Sequence, residues 1–229
     1  MTLIKSISGI RGTIGGVPGE SLTPIDVVRF TSAFGAQIKA RQKKDRYTVV
    51  VGRDARVSGE MVSRLVSGAL MGMGIHIIDL GLATTPTVEM GVTHHKADGG
   101  IILTASHNPG QWNALKLLNA KGEFISAEDG AELLKLASSD RYVYVPYDQL
   151  GKGSTFSGMN DIHIEAVAAM KHVNTASIRK ANFKVVIDCV NSVGGIILPS
   201  LLKKLGVSEI IEVYCDPKGI FPHNPEPLP

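Results

Sequence analysis

One segment near the middle of the chain carries residue types that could do covalent chemistry. Residues 101–118 read IILTASHNPGQWNALKLL, and the opening apolar run gives way at once to small polar residues that include Ser106. Asn108 and Pro109 favour a tight turn that would hold the serine hydroxyl outward. A serine in that position can act as a nucleophile or carry a phosphoryl group. It then needs a base, a charged clamp or a metal beside it.

The residues around Ser106 help to separate these chemistries. Thr104 and Asn108 stand where the G-x-S-x-G turn of serine hydrolases has glycines, which disfavours acyl transfer. Lys116 precedes two leucines and by itself would be a surface lysine on a strand; only its position after the serine segment makes it a candidate. A serine hydrolase therefore remains as the weaker alternative.

The composition is that of an ordinary globular chain without a strong electrostatic signature. It is 44% hydrophobic and 20% charged, with a net charge of +3, which is too mild to indicate nucleic acid but permits an anionic ligand. No run reaches the ~18 apolar residues of a membrane helix, and the N-terminus lacks the apolar core of a signal peptide. Two cysteines supply neither a disulfide framework nor a zinc spacing. We expect a cytoplasmic protein with no nucleic-acid or membrane partner.

Strand and helix signals alternate around the serine segment. Apolar runs predict strands at residues 47–51, 75–80 and 99–103. Periodic apolar residues and capping signals predict helices that begin after Thr23, Ser58 and Ser126, and a short helix at 86–95. This alternation predicts the α/β class with mixed, mainly parallel sheets. Ligands gather at the carboxyl ends of strands in such sheets, which is where Ser106 lies.

The chain is expected to form two consecutive α/β domains of similar topology. The polar, tyrosine-containing stretch 138–158 predicts a boundary between domain I at 1–147 and domain II at 148–229. FKVVIDC at 183–189 echoes YTVVVGR at 47–53, and each precedes a helix ending in glycine and a further strand, although chance similarity is a serious rival. Pro199 is expected to kink its helix or delay its start.

The end of the chain suggests that domain II is incomplete. After the predicted strand that ends at Val213, no further helix or strand follows, and five prolines lie between Pro217 and Pro229. Because a parallel sheet needs both faces covered, we expect a fragment of a longer protein.

The serine segment and four other stretches resemble the α-D-phosphohexomutases, the group of phosphoglucomutase, phosphomannomutase and phosphoglucosamine mutase. The specific match is TASHNP at 104–109, with Asn113 and Lys116 after it. Supporting matches follow in order: SGIRG at 8–12, GRDAR at 52–56 with Ser58, TPT at 85–87, and VID at 186–188 with Asn191 and Gly194. The resemblance covers roughly the N-terminal half of such an enzyme.

The resemblance implies an intramolecular phosphotransferase that works through a phosphoserine. Ser106 would give its phosphoryl group to a phosphosugar, form a bisphosphate and take back the other phosphoryl group, with hexose 1,6-bisphosphate as activator. Lys116 would be general acid or base, and Arg11 would support phosphoryl transfer. His107 would handle phosphate or protons, or merely shape the loop. The implied substrate-binding residues are Asn108, Asn113 and Arg53.

Several of these residues also have structural interpretations. Arg53, Asp54 and Arg56 are better explained as a loop ion-pair cluster near the site than as catalytic groups. The adjacent His94 and His95 are not at ligand spacing on a helix, which favours surface or packing roles.

The resemblance also implies a Mg²⁺ ion, held by the phosphoryl group on Ser106 and by closely spaced aspartates. That aspartate loop, the sugar-reading loop and the C-terminal domain of the family are absent from this sequence, so the other ligands are expected beyond Pro229. Ala114 replaces a common glycine, and the SISGIRG opening differs from the F-G-T-D-G-type start frequent in phosphoglucosamine mutases, so the sugar stays open. We expect no mutase turnover from this chain alone; a non-catalytic sugar-phosphate-binding module is the alternative.

Overall fold

The computed structural model describes residues 1–6, 9–41 and 43–226. Ser8 of the opening motif and Pro229 lie outside the described residues. The strands are β1 (Ile4–Ser6), β2 (Gly9–Thr13), β3 (Tyr47–Arg53), β4 (Ile75–Leu82), β5 (Gly99–Leu103), β6 (Trp112–Leu118), β7 (Gly153–Thr155), β8 (Lys184–Asp188) and β9 (Glu209–Val213). The helices are α1 (Pro24–Arg41), α2 (Gly59–Gly72), α3 (Thr85–His94), α4 (Ala127–Ser139), α5 (Met159–Ala168), α6 (Thr175–Ala181) and α7 (Gly194–Leu205). Among these helices, none is long and apolar enough to cross a membrane.

Seven strands form one mixed sheet in the order β1-β2-β6-β5-β3-β4-β7. Strand β3 pairs in parallel with β4 and with β5, whereas β5, β6, β2 and β1 pair antiparallel in succession. The α/β class and the three predicted strands are therefore confirmed. β7 pairs in parallel with β4 and extends this sheet beyond residue 147.

Helices cover both faces of the large sheet. Helices α1, α2 and α4 bury residues such as Phe34, Val66 and Leu133 in one core. Helices α3 and α5 enclose a second core with Val88, Val92 and Met159. Complete burial of one such side chain stabilises the fold by about 1.5–3 kcal/mol, so the sheet is fixed from both sides and its strand ends become a rigid platform.

The helix caps explain where two of these helices begin. At α4, Ser126 and Asp129 form the predicted capping box. At α1, the Asp26 carboxylate accepts hydrogen bonds from the backbone N–H and the hydroxyl of Thr23. Helix α2 begins directly after Ser58, as predicted, but the Ser58 side chain does not cap it, because it makes no cap hydrogen bond. Its hydroxyl instead accepts from the Asn113 side chain on β6 at 2.9 Å.

The second part of the chain forms the expected second βαβ unit. β8 and β9 pair in parallel around α7, as β3 and β4 do around α2, so the predicted order of elements is confirmed. Of the two effects expected from Pro199, a kink or a late start of α7, the late start is wrong, because the helix begins at Gly194 and runs through Pro199. Cys189 and Cys215 are both free thiols. Helix α5 packs back on the first sheet, where His163 shares a 2.9 Å hydrogen bond with Thr87 of α3.

Candidate active site

Ser106 lies on the loop that follows the central strand β5, in the position expected for a ligand site in an α/β sheet. Its side chain is exposed, and its φ of +55° is in the left-handed region that residues other than glycine rarely adopt. Two loop hydrogen bonds hold this turn: Ser106 N–H donates to the Thr104 hydroxyl at 3.1 Å, and Asn108 N–H donates to the Ala105 carbonyl at 3.0 Å. The fold thus presents the serine hydroxyl to solvent on a fixed turn.

Residues 104–112, which include this turn, are called the serine loop below. The Arg56 side chain lies beneath the serine loop. Its guanidinium is fully buried. It donates to four carbonyl oxygens, those of Ser106, Asn108, Pro109 and Trp112, over 2.7–2.9 Å. The fifth donor, Nε, pairs with the Asp54 carboxylate at 3.1 Å. All five N–H donors of the guanidinium are therefore used, four of them on the serine loop.

Burial of Arg56 lowers its pKa, and the charge of Asp54 and the hydrogen bond to it act in the opposite direction. An arginine stays protonated even so, which makes this group a permanent cation under the loop. Of the ion-pair cluster predicted for Arg53, Asp54 and Arg56, the pair of Asp54 and Arg56 is confirmed, whereas the Arg53 guanidinium bonds to the backbone carbonyl of Asp54. The sequence did not reveal that Arg56 also holds the serine loop, because its partners lie some fifty residues further along the chain.

Arg11 on β2 and Lys116 on β6 lie on one face of the sheet beside the serine loop. Arg11 is the register partner of Ala114, and alternate residues of a strand share a face, so Arg11 and Lys116 point to the same side. Arg11 Nη1 lies 3.4 Å from the Asn108 side-chain oxygen on the serine loop. Among the described groups, none accepts from the buried Nε of Arg11.

Lys116 has an environment that suits proton transfer. Burial lowers its pKa; the carboxylates of Asp54 and Glu89 act against that effect, and the charge of Arg11 adds to it. Its ammonium lies 5.8 Å from the centre of the Phe124 ring. A lysine with a lowered pKa is an effective acid or base nearer to neutral pH than an ordinary lysine.

His107 lies at the edge of the serine loop. Its Nδ1 is 3.5 Å from the Ser106 hydroxyl, and its Nε2 is 3.8 Å from a carboxylate oxygen of Glu226. Both distances exceed the 2.6–3.2 Å reach typical of a nucleophile, its base and the base's orienting acid. The arrangement gives no support to the serine hydrolase alternative.

Asn113 and Arg53 lie away from the face that carries Lys116. Asn113 is fully buried, and its amide donates to Ser58 while its oxygen accepts from the Ala114 N–H at 2.8 Å. Arg53 is the register partner of Leu103 on β5, whereas Lys116 is the partner of Ile102. Since neighbouring residues of a strand alternate in direction, Arg53 faces the opposite side. Its guanidinium donates to the Asp54 carbonyl at 3.3 Å.

The described side chains that could bind a metal ion do not form a metal site. His94 and His95 lie against the Phe156 ring, with centroid distances of 6.0 and 4.7 Å, which fits the predicted packing role. In the described part of the chain, no group of three or more His, Cys, Asp or Glu side chains could hold a metal ion. Ser106, when phosphorylated, would offer Mg²⁺ only phosphoryl oxygens, so the described residues alone do not make a magnesium site.

Comparison with known families matches nearly the whole chain. Residues 3–143 match the family "Phosphoglucomutase/phosphomannomutase, alpha/beta/alpha domain I", and residues 161–229 match the family described as domain II of the same proteins.

Curated relatives agree with this match. A "Phosphoglucomutase/phosphomannomutase" of Thermococcus kodakarensis is 37% identical over 220 residues, which cover 94% of this chain and 47% of the relative. A "Probable phosphoglucosamine mutase" of Methanosphaera stadtmanae is 33% identical over an alignment of 230 positions, which covers 98% of this chain and 48% of the relative. The chain therefore spans about half the length of these relatives.

Solved structures show the same relationship. A putative phosphomannomutase from Thermus thermophilus superimposes with a TM-score of 0.81 at 28% identity, covering 100% of this chain and 50% of the other. A phosphoglucomutase/phosphomannomutase family protein from Burkholderia thailandensis gives a TM-score of 0.77 at 25% identity, covering 97% and 46%.

Proposed function

The chain belongs to the phosphoglucomutase/phosphomannomutase family, and we propose that it supplies the phosphoserine part of a phosphohexomutase. Such an enzyme interconverts a hexose 1-phosphate and a hexose 6-phosphate and belongs to the isomerase class. We also propose a division of the chain at residue 147, which falls between the two matched ranges, 3–143 and 161–229.

The observation that carries this proposal is the convergence of Ser106, Arg11 and Lys116 at the carboxyl end of β5. An exposed hydroxyl on a fixed turn, a partly exposed arginine beside that turn and a lysine of lowered pKa are the groups that phosphoryl transfer needs. The transition state spreads negative charge over the phosphoryl oxygens, and positioned cations stabilise it.

In the first half of the reaction, phosphorylated Ser106 is the donor. A hydroxyl oxygen of the hexose phosphate attacks phosphorus, the bond from phosphorus to the serine Oγ breaks, and a bisphosphate forms. The Oγ leaves with the electron pair and takes a proton from the solvent to which it is exposed, and it releases that proton again when it attacks in the second half. Neutral Lys116 would accept the proton of the attacking hydroxyl, and Arg11 would stabilise the phosphoryl oxygens. In the second half, the Ser106 oxygen attacks the other phosphoryl group of the turned bisphosphate, and protonated Lys116 returns its proton to the departing sugar oxygen.

The remaining candidate residues are proposed in supporting roles. Asn108 would orient Arg11 through their 3.4 Å contact, and His107 would shape the edge of the loop. The burial of Asn113 and the position of Arg53 support structural roles rather than substrate contact. We propose a requirement for Mg²⁺, with Ser106 as its ligand through the phosphoryl group and the other ligands outside the described residues. Hexose 1,6-bisphosphate would charge Ser106 as activator.

A conversion assay tests the proposal. The protein as its host makes it should convert a hexose 1-phosphate into the 6-phosphate when Mg²⁺ and a trace of hexose 1,6-bisphosphate are present, with glucose, mannose and glucosamine phosphates compared. S106A should abolish the conversion, and the 229-residue chain alone should show none. Binding of the sugar phosphate without conversion would favour the sugar-phosphate-binding module. Conversion by S106A at the wild-type rate would contradict the proposal.

A further inference from the structure

The aromatic ring of Phe221 covers the guanidinium that holds the serine loop. The central carbon of the Arg56 guanidinium lies 5.0 Å from the centre of the Phe221 ring. A cation at this distance over an aromatic face is attracted by the ring quadrupole, and the attraction is stronger where water is excluded. Because Arg56 is fully buried, the ring closes the guanidinium off from solvent on that side.

The segment around Phe221 is tied to the second βαβ unit. Gly219 N–H donates to the Asn191 carbonyl at 2.8 Å, and the Asn191 side chain donates to the Ile220 carbonyl at 3.0 Å. Gly219 also packs against the chain just before Arg56, since a side chain at this glycine would place its Cβ 1.8 Å from the Ala55 carbonyl oxygen. The contacts of Gly219 and Ile220 with Asn191 and with the chain before Arg56 therefore place Phe221 of the second unit against Arg56.

We propose that Arg56 and Phe221 form a positioning pair that fixes Ser106 for phosphoryl transfer, so that the second unit sets the geometry of the nucleophile in the first. Neither side chain touches the reacting atoms. Arg56 acts through the carbonyls of the serine loop, and Phe221 acts through Arg56. The kinetic part of this inference rests on the proposed function, whereas its structural part does not.

The geometry of the guanidinium explains why another cation would not replace it. A planar fork with five donors reaches four loop carbonyls and the Asp54 carboxylate at once. A lysine ammonium has three donors on a single atom and cannot span these acceptors. The left-handed conformation of Ser106 costs free energy, so loss of these bonds should release the turn.

Hydrogen exchange on the 229-residue chain tests the structural part. R56K should speed amide exchange in residues 105–113 by about tenfold, and F221L by about threefold, because the cation–π contact contributes less. The matched controls are R64K, at an exposed arginine paired only with Glu60 among the described residues, and F183L, at an exposed phenylalanine of the second unit. Unchanged amide exchange in F221L would overturn the proposal. This test does not depend on R56K, so it remains decisive if the R56K variant fails to fold.

Single-turnover charging of Ser106 tests the kinetic part in the protein as its host makes it. With hexose 1,6-bisphosphate and Mg²⁺, the rate per folded molecule should fall by about 10- to 100-fold in R56K and by about threefold in F221L. The half-saturating concentration of bisphosphate should stay unchanged. A residue that only stabilises the fold would lower the folded fraction and leave this rate intact, and that result would overturn the positioning role.

The two measurements separate this inference from the proposed function. If the wild-type protein takes up no phosphoryl group on Ser106, the proposed function fails, and hydrogen exchange still decides whether Phe221 and Arg56 fix the loop. If charging occurs and both variants charge at the wild-type rate, the proposed function stands and the positioning pair is wrong.

Discussion

Among the single residues of the site, Lys116 differs from an ordinary surface lysine in its burial and in the charges around it. Its side chain is half-buried beside the serine loop, and its ammonium lies near Arg11, which lowers its pKa further. The carboxylates of Asp54 and Glu89 act in the opposite direction and raise the pKa of Lys116. Burial also raises the pKa of Glu89, against the effect of Lys116. The lowered pKa of Lys116 is the property that the proposed proton transfer requires.

We expect the rate of conversion to depend on the protonation of Lys116. Because the pKa of Lys116 is lowered, its neutral amine forms at a pH below the ~10.4 of a free lysine. Since the neutral amine removes the proton from the substrate hydroxyl, kcat should increase as the pH rises through the pKa of Lys116. The arginine of K116R stays protonated over this range, so the increase of kcat with pH should disappear. The kcat itself should fall by about 10²- to 10⁴-fold. The measurement is kcat against pH for both proteins.

K121R serves as the matched control, because Lys121 is an exposed lysine in the turn that follows β6. Its profile should superimpose on the wild-type profile. A K116R protein that keeps the wild-type increase of kcat with pH would show that another group moves the proton.

At the scale of secondary structure elements, Gly9 allows β2 to approach β6 and so places Arg11. Gly9 has a φ of +120°, and a Cβ there would lie 2.4 Å from the Leu115 carbonyl oxygen of β6. Gly15 has a similar φ of +93° but open space around it. A side chain at Gly15 would therefore cause backbone strain alone, whereas one at Gly9 would cause the same kind of strain and also a steric clash with β6.

We expect both G9A and G15A to lose about 1–2 kcal/mol of unfolding free energy from the left-handed backbone. G9A should lose about 1–3 kcal/mol more, because its methyl group would push β2 away from β6. Urea unfolding of the two variants measures the difference. Equal losses in G9A and G15A would show that the contact with Leu115 imposes no constraint.

The elements that the sequence predicted are those whose signal is local. Strands β3, β4 and β5 are nearly unbroken apolar runs, and α1 and α4 carry their capping residues. β2 reads GIRGT, with two glycines and an arginine; it is a strand because it pairs with β1 and β6, and that pairing overrides its weak propensity.

In the candidate site too, the sequence reveals the residues whose signal is local. Ser106 was found from its turn residues and its position after a strand. Two roles depend on contacts between distant parts of the chain: Arg56 reaches carbonyls of the serine loop, and Ser58 bonds to Asn113 instead of capping its helix. No pattern of propensities reveals such contacts, because the partners are set by tertiary packing.

At the scale of the whole molecule, the serine loop lies where the two βαβ units meet. Its carbonyls bond to Arg56 from the first unit, and Phe221 and Glu226 approach it from the second. Arg11 and Lys116 add positive charge beside it. We propose that this loop carries a phosphoryl group on Ser106 during turnover.

Tandem mass spectrometry of the peptide that contains Ser106 tests that claim most directly. The protein is purified from its host with phosphatase inhibitors present, and part of the sample receives excess hexose 1-phosphate. We expect a phosphoryl group on Ser106 in the untreated sample and its loss after the sugar phosphate is added. An unmodified Ser106 that no hexose bisphosphate can phosphorylate in the presence of Mg²⁺ would contradict the account.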